Sequence, residues 1–319
     1  MVSYIVIGRN EGWKLKKCFG SIKLSIKEND YIKSEVIYID SASEDDSIKI
    51  AKSFGFVKVY KLTSDYNAAI ARNVGAVIAQ GSILFFIDGD MEINPEFLKN
   101  VLNINNKLTY GFIGGYYIGR YFDNEWNYLY ERNYPSTGKI KHGFFEPFTG
   151  GLFIIEKRIW DEVSGMKPYL SGGADPEIAF RLARNGVYKL WIHKPMAVHY
   201  TIKNKRTGKV KHLFKRRNLV GNILIYRENI TCFHALKRML RQNYMAFILM
   251  LLLFSSLFYI SAFPFVIAAY ILMSTTKSIV KYKNIKSSMY FIVKDLIFIL
   301  GMLFYWPNKK VDIEYKLIK

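Results

Sequence analysis

Cysteine is scarce in this chain of 319 residues, and no leader pattern precedes its first apolar run. The two cysteines, Cys18 and Cys232, have no motif spacing that indicates a metal site or a disulfide. We therefore expect free thiols in a reducing compartment. Residues 1–10 lack the basic segment and long apolar core of a secretory signal peptide. The sequence thus predicts that the first domain stays in the cytosol.

Acidic side chains are also few relative to basic ones. The chain has 26 Asp and Glu against 46 Lys and Arg, a formal net charge of +20. This excess favours anionic partners: nucleic acid, anionic lipid headgroups or phosphorylated substrates. Residues 203–217 contain no acidic residue. Their basic residues are Lys203, Lys205, Arg206, Lys209, Lys211, Lys215, Arg216 and Arg217. Because an apolar region follows, anionic membrane lipids fit this segment better than nucleic acid or a solvated basic face.

Charge is absent from one long run near the C-terminus, residues 244–274, which Pro264 divides. A helix that spans a bilayer needs about 20 apolar residues, so the run predicts either one long, kinked span or a hairpin of two short helices. Lysines within 277–286 favour the hairpin, because short basic loops stay on the cytoplasmic side. A further apolar segment, 289–306, contains two ionisable residues and predicts a third span or an interfacial helix.

The first 202 residues have a different pattern, in which short apolar runs alternate with amphipathic stretches. The runs predict strands at 2–7, 36–39, 57–60 and 83–87, and the stretches predict helices at 13–27, 45–54 and 67–80. This alternation indicates an α/β domain with a mostly parallel sheet. Beyond it, the sequence predicts a helix at 94–103, a strand at 111–122, loop and short helix at 124–147, a strand ending at 155, a helix at 175–184 and a strand at 188–192.

Two carboxylates follow the strand at 83–87, in the stretch Ile-Leu-Phe-Phe-Ile-Asp-Gly-Asp. Asp88, Gly89 and Asp90 therefore lie where the chain leaves the sheet, at the edge where open α/β sheets bind ligands. Two adjacent carboxylates suit Mg²⁺ or Mn²⁺, with phosphate oxygens as further ligands. An acidic turn without a ligand is the alternative, because Asp-Gly is common in turns. Taken with its neighbours, the stretch favours a metal–diphosphate site.

Three other polar segments are expected at the same edge of the sheet. Gly8–Gly12 follows the first strand, Asp40 ends the second, and Asp175–Arg181 begins a helix. The carboxyl ends of parallel strands meet at one edge, so the four segments should converge. For Asp175, a helix N-cap is the structural alternative to a chemical role.

In their order along residues 2–200, these segments resemble the family 2 glycosyltransferases with the GT-A fold. The resemblance rests on Ile-Val-Ile-Gly-Arg-Asn-Glu-Gly at 5–12, Asp-Ser-Ala-Ser-Glu-Asp at 40–45, Ala-Ile-Ala-Arg-Asn-Val-Gly at 69–75 and Asp-Gly-Asp at 88–90. It implies a Rossmann-like mixed sheet that binds a nucleotide-diphosphate sugar. The implied nucleotide-sugar-binding residues are Gly8, Arg9, Asn10, Glu11, Asp40, Ser41, Asn67, Arg72, Asp88 and Gly89.

The resemblance also implies roles for the metal and for catalysis. Asp88 and Asp90 would bind Mg²⁺ or Mn²⁺, with His199 as a further ligand unless that lone histidine is structural. Asp175 takes the position of the catalytic base of an inverting enzyme, although Ala174 replaces the glutamate that usually precedes it. The acceptor side would comprise Thr149, Gly150, Gly151, Glu177 and Arg181.

The sequence lacks the Gln-x-x-Arg-Trp signature of the processive relatives, which favours addition of single sugars. We therefore expect a catalytic domain at 1–202, basic juxtamembrane helices at 203–242, and a transmembrane region with a short tail at 243–319. This predicts a multi-pass protein of the cell membrane that faces the cytoplasm and uses a lipid-linked or glycan acceptor. The alternatives are a polyprenyl-phosphate monoglycosyl synthase and a non-catalytic membrane scaffold.

Overall fold

A computed structural model describes residues 1–134, 143–144, 149–170, 172–203, 218–283, 285, 287–306 and 308–319. The chain divides into two compact units. The first comprises Met1–Leu170, Ala174–Lys205 and Lys310–Lys319, and the second comprises Ser171–Gly173 and Arg206–Lys309. Apart from Lys203, the predicted basic segment lies outside the described residues and stays a prediction.

The first unit is an α/β domain in which strands and helices alternate as predicted. Its first half contains β1 (Val2–Gly8), α1 (Lys14–Glu28), β2 (Ser34–Asp40), α2 (Ser47–Ser53), β3 (Val57–Leu62), α3 (Ala68–Ile78) and β4 (Ile83–Asp88). Its second half contains β5 (Met91–Ile93), β6 (Phe112–Phe122), β7 (Tyr128–Tyr134), β8 (Gly143–Phe144), β9 (Phe153–Glu156), α4 (Lys157–Glu162), α5 (Ala174–Arg184) and β10 (Leu190–Ile202), and β11 (Tyr315–Leu317) lies at the end of the chain.

One mixed sheet runs through this unit in the order β11-β3-β2-β1-β4-β9-β6-β10-β5. Strands β1 to β4 pair in parallel, whereas β9 runs antiparallel to both β4 and β6. The central strands β1, β2 and β4 are buried along most of their length, as their runs of β-branched and aromatic residues require. Helix α1 packs against one face through Leu15, Phe19 and Ile22. The predicted mixed α/β fold is confirmed.

The helix predicted over 94–103 is wrong. A short 3₁₀ turn, Leu98–Asn100, takes its place. Asparagine side chains here hydrogen-bond nearby backbone: Asn94 accepts from the N–H of Glu96 at 3.1 Å, and Asn103 accepts from the N–H of Lys107 at 3.1 Å. Such local bonds compete with helical ones, which the apolar spacing alone does not reveal.

Strands in the second half of the domain also differ from the sequence-based expectation, and β5 and β8 were not predicted. Residues 128–134 form β7 rather than loop or helix, and tyrosine rings stack between β6 and β7, Tyr117 on Tyr134 and Tyr121 on Tyr130. Cross-strand aromatic pairs of this kind stabilise a hairpin without a strong apolar period. Strand β10 is longer than the predicted 188–192, because register shifts on either side of Pro195 let the parallel pairing with β6 continue to Ile202.

The C-terminal residues add an edge strand to the sheet. Strand β11 pairs antiparallel with β3, with Tyr315 opposite Leu62 and Leu317 opposite Tyr60. The N–H of Ile318 donates to the carbonyl of Val59 at 2.7 Å. The expected short tail therefore covers an edge that β3 would otherwise expose to other chains.

The second unit is helical. It contains α6 (Asn218–Glu228), α7 (Phe233–Ser256), α8 (Phe263–Tyr282) and α9 (Ser287–Phe304). The uncharged run is split between α7 and α8, and Pro264 lies in the first turn of α8, where proline is tolerated. Among the described residues, Phe233–Ser256 and Ile260–Val280 are long and apolar enough to cross a membrane, a test that buried helices of soluble proteins also pass.

The packing of α3 on β1 generates a stability prediction. A Cβ atom on Gly75 would lie 2.3 Å from Cγ2 of buried Ile5, whereas a Cβ on Gly20 of α1 would meet no atom within 4 Å. We expect Gly75→Ala to lower the free energy of unfolding by about 1–3 kcal/mol through overpacking. The matched Gly20→Ala should raise it by about 0.5–1 kcal/mol. Denaturant unfolding of the full chain in detergent, followed by near-UV circular dichroism, measures both, and equal stability of the two variants would contradict the packing argument.

Candidate functional site

The predicted polar segments meet at one edge of the sheet. Gly8 is in register with Asp40, and Ile7 with Asp88, so the ends of β1, β2 and β4 are adjacent. The N–H of Gly89 donates to the carbonyl of Ile7 at 2.8 Å, and a Cβ on Gly89 would lie 3.2 Å from that oxygen. Only glycine lets the chain leave β4 this close to β1.

A buried guanidinium joins two of the predicted carboxylates. Arg72 of α3 contacts Asp88 at 2.7 Å between Nη2 and Oδ1, and lies 3.7 Å from Asp175 between Nη1 and Oδ1. The arginine is buried, while about a third of the Asp88 side chain is exposed (33%). Burial raises the pKa of Asp88 to about 7, against the opposing charge of Arg72. One cation thus holds the end of β4 and the start of α5 together.

Asp90 faces His199, which was predicted as a metal ligand. His199 lies on β10 opposite Met91 of β5, and its Nε2 is 3.0 Å from Oδ2 of Asp90. Burial disfavours the imidazolium, but the hydrogen bond and charge of Asp90 outweigh it and raise the pKa of His199. The other oxygen of Asp90 is buried and accepts no hydrogen bond from the described residues.

These groups suit a divalent cation that takes its remaining ligands from a substrate. Asp88 and Asp90 offer oxygen ligands, and the unpartnered oxygen of Asp90 is the kind of acceptor that a cation satisfies. The part of the chain that the structure describes contains no preformed cluster of three or more His, Cys, Asp or Glu side chains suited to a metal. Mg²⁺ and Mn²⁺ commonly use one or two carboxylates plus substrate phosphates, so the residues present fit that mode of binding.

The Thr149–Gly151 segment lies against Asp88. A Cβ on Gly151 would be 1.8 Å from Oδ2 of Asp88, so glycine is required for the carboxylate to occupy this position. Gly150 has a φ of 71°, in the left-handed region. Thr149 donates from Oγ1 to the carbonyl of Asp175 at 3.1 Å. The segment predicted to face an acceptor therefore contacts both the first carboxylate of the Asp-Gly-Asp motif and the candidate base.

Asp175 opens α5, and its Oδ1 is buried without a hydrogen-bond partner among the described residues. The predicted acceptor residues Glu177 and Arg181 pair with each other instead, with bonds of 2.7 Å and 2.6 Å from the guanidinium to the two carboxylate oxygens. Arg181 also donates to the carbonyl of Gly165 at 2.7 Å. This buried pair fixes α5, and contact of either residue with an acceptor stays a prediction.

The loop after β1 is held by serines of the segment after β2. The N–H of Asn10 donates to Oγ of Ser43 at 2.9 Å, and the N–H of Glu11 to Oγ of Ser47 at 3.0 Å. Asn10 has a φ of 57°, a conformation that asparagine tolerates better than most residues. Arg9 stacks on the ring of Tyr66 at 4.5 Å, at the open end of this loop.

Asp40 is fully buried, although it was predicted to bind the nucleoside. Its Oδ1 accepts from the N–H of Ser43 at 2.8 Å and its Oδ2 from the hydroxyl of Tyr38 at 3.0 Å. Ser41 is buried too, and its N–H donates to the carbonyl of Gly8 at 2.9 Å. In this conformation both residues shape the loop, and their direct contact with a nucleotide stays a prediction.

Helix α3 is anchored by two asparagines. Asn67, predicted to bind the nucleotide sugar, caps the helix by accepting from the N–H of Ile70 at 2.9 Å and donates to the carbonyl of Pro168 at 2.7 Å. Asn73, which sequence reasoning did not single out, exchanges two hydrogen bonds with the backbone of Met166. The sequence offered one signal for Asn73, which is its position next to Arg72 in the motif at 69–75.

Lys189 is a second residue that sequence reasoning missed. It is buried, donates to the carbonyl of Thr149 at 2.7 Å and lies 4.1 Å above the ring of Trp191. Burial lowers its pKa to about 7. Lys189 therefore fixes the segment that contacts Asp88 and Asp175. Nothing in its local sequence marks it, because its partner lies 40 positions earlier.

Sequence comparison finds relatives with three different names. Glucosyl-3-phosphoglycerate synthase of Petrotoga mobilis is 27% identical over 133 residues, 40% of this chain and 34% of that protein. Poly(ribitol-phosphate) beta-N-acetylglucosaminyltransferase TarP of Staphylococcus aureus is 29% identical over 121 residues, 36% of each chain. N-acetylgalactosaminyltransferase 7 of Drosophila melanogaster is 24% identical over 223 residues, 60% of this chain and 37% of that one. The chain thus spans about a third of the length of these relatives.

Solved structures share the fold. The crystal structure of S. aureus TarS 1-349 matches with a TM-score of 0.57 at 15% identity, over 98% of this chain and 96% of that one. GalNAc-T7 with UDP, GalNAc and Mn²⁺ matches with a TM-score of 0.51 at 19% identity, over 71% and 47%. These likenesses confirm the GT-A fold that the sequence implied. The model of the family described as Glycosyl transferase family 2 matches residues 3–170, more than half of the chain, and the chain belongs to that family.

Proposed function

We propose that this chain transfers one sugar from a nucleotide-sugar donor to a hydroxyl group of a glycan acceptor, with inversion at the anomeric carbon. The observation that carries the proposal is the position of Arg72 between Asp88 and Asp175. It brings the carboxylate suited to the diphosphate and the carboxylate suited to the acceptor into one site. A fold kept only as a scaffold has no need for this costly arrangement of buried charge.

Each residue of the site then has a chemical task. A divalent cation, Mg²⁺ or Mn²⁺, would neutralise the diphosphate leaving group, and Asp88 and Asp90 are the residues that would hold it. His199 orients Asp90 through their hydrogen bond, and its role as a further ligand stays a prediction. Asp175 accepts the proton of the attacking hydroxyl as general base, and about a third of its side chain (35%) is exposed for that hydroxyl to approach.

The helical unit supports a membrane location for the acceptor. Its two apolar helices and the basic segment before them fit anchoring to the cytoplasmic face of a membrane that contains anionic lipids. An acceptor whose lipid is held in that membrane would present its sugar hydroxyl near the surface. We therefore propose a lipid-linked glycan as the acceptor class and the cell membrane as the location.

A polyprenyl-phosphate monoglycosyl synthase is the second candidate, because the same anchoring suits a lipid phosphate as nucleophile. A phosphate oxygen attacks without a general base, so the two candidates differ in their need for Asp175. Activity itself is found by incubating the detergent-solubilised chain with a panel of nucleotide sugars and Mn²⁺ and measuring release of nucleoside diphosphate. No release of nucleoside diphosphate with any donor would favour the alternative of a non-catalytic membrane scaffold.

Asp175→Asn tests the base. We expect the rate with the donor found in the panel to fall by about 10²–10⁴-fold, the usual contribution of general base catalysis, while nucleotide affinity changes little. The matched control is Asp161→Asn, at an exposed aspartate that pairs with Lys157, which should retain the full rate. Full activity of Asp175→Asn would favour phosphate attack.

Gly151→Ala tests the contact between the glycine segment and Asp88. The added methyl must displace the Asp88 carboxylate, and a misplacement of about 1 Å commonly costs about 10²-fold in rate. The control is Gly55→Ala, since a Cβ there would meet no atom within 4 Å. We expect both variants to melt at similar temperatures and only Gly151→Ala to lose activity; unchanged kcat and KM in that variant would refute the contact's importance.

Metal binding should depend on pH through Asp88. Its pKa of about 7 leaves the carboxyl mostly protonated below pH 7, and a cation must displace that proton. The affinity for Mn²⁺ should therefore fall by up to about tenfold between pH 8 and pH 6, with proton release visible by calorimetry in buffers of different ionisation enthalpy. Asp88→Asn should bind Mn²⁺ weakly at both pH values. A pH-independent Kd in the unmodified protein would contradict the assignment.

A further inference from the structure

The end of the helical hairpin formed by α7 and α8 is covered with apolar side chains. The residues that connect the two helices include a 3₁₀ turn, Ile260–Ala262. Exposed fractions range from 49% at Phe263 to 82% at Ile260. The exposed set is Phe254, Leu257, Phe258, Tyr259, Ile260, Phe263 and Phe265. A contiguous apolar surface of this kind needs a covering partner.

Polar residues mark the opposite end of the same hairpin. Lys277 of α8 lies 4.2 Å above the ring of Tyr244 of α7. These two residues therefore mark the same height along the hairpin, at its base. Lys294 of α9 donates to Asn243 at 3.1 Å. Asp295, next to it, accepts from the hydroxyl of Tyr270 at 2.9 Å. Lys277, Lys294 and Asn243 form a polar band around the base of the hairpin, and Tyr270 lies above this band in α8.

The apolar part above that band is short. Helix α7 has its non-helical residue at Asn243, and the apolar stretch from 244 to 256 is about 13 residues, or roughly 20 Å of helix. In α8 the uncharged stretch from 263 to 276 is about 14 residues, or roughly 21 Å. The hydrocarbon core of a bilayer is about 30 Å thick. Each whole helix is long enough to cross a membrane, but the uncharged part of neither helix reaches across unless charged residues of the base are drawn into lipid.

We propose that the hairpin enters the membrane from one side and turns back inside it, so that residues 257–262 lie within the hydrocarbon and never reach the far surface. The partner of the apolar tip is the bilayer interior. The tip has no charged residue to place in water on the far side, and its turn consists of Leu257, Phe258, Tyr259, Ile260, Ser261 and Ala262. This inference rests on the proposed membrane anchoring and replaces a multi-pass arrangement with a one-sided one.

Cysteine labelling of the full chain in vesicles of phosphatidylcholine and phosphatidylglycerol tests the depth of the tip. Ser261→Cys places a thiol in the turn, and Ile285→Cys places one at an exposed position beyond α8 as the matched control. Both native cysteines are buried, so the unmodified chain provides the background. A membrane-impermeant maleimide is supplied first outside the vesicles, then on both sides, and finally after SDS has dissolved the vesicles.

The inference predicts that Ile285→Cys reacts with the impermeant reagent. Ser261→Cys should stay unmodified with that reagent on both sides and react once SDS has dissolved the vesicles, because a thiol in hydrocarbon does not ionise and only the thiolate reacts. Modification of Ser261→Cys by the impermeant reagent, in protein that floats with the vesicles, would show that the tip reaches water and would overturn the inference.

Flotation in a density gradient separates these outcomes from failure of the proposed anchoring. Protein that does not float with vesicles at all contradicts the membrane location itself, and with it the one-sided hairpin. Protein that floats and labels at Ser261→Cys contradicts the one-sided hairpin alone. The two proposals therefore fail in different measurements.

Discussion

Burial of the Arg72 guanidinium is the constraint on which the site depends. A charge removed from water must be paired, because without a partner it is buried and uncompensated. Arg72 on α3 meets this requirement through Asp88 at the end of β4 and Asp175 at the start of α5. Three elements that are distant in sequence are therefore fixed relative to one another by one cation, and the site's carboxylates are placed before any ligand binds.

The remaining geometry follows from close approach of backbone to these carboxylates. Gly151 leaves space for the Asp88 side chain, and Gly89 lets the chain turn against β1. Thr149, held by Lys189 on one side, bonds the backbone of Asp175 on the other. Hydrogen bonds to backbone thus fix the interior side of the site. In the proposed reaction, this preorganisation would lower the cost of stabilising a charged transition state.

Much of the fold could be predicted from the sequence, because the central strands are buried on both faces and read as short apolar runs. The predictions failed where local polar bonds or cross-strand pairs decide the structure. Asn94 and Asn103 prevent the helix expected after β5, and tyrosine stacking creates β7 where the apolar pattern is weak. The structure brings the predicted polar segments together at the sheet edge, but the partners of their side chains were not foreseen from the sequence.

The sequence by itself determined which segments form the sheet, that Asp88 and Asp90 follow one of its strands, and that one region is uncharged for a length suited to lipid. These properties are local, since they depend on the order of neighbouring residues. The tertiary structure alone decided that Asp40 is buried and hydrogen-bonded within its own loop, that Glu177 pairs with Arg181, and that residues 315–317 add a strand to the sheet beside β3. Burial and pairing depend on residues far apart in the chain, and no local pattern records which of them will meet.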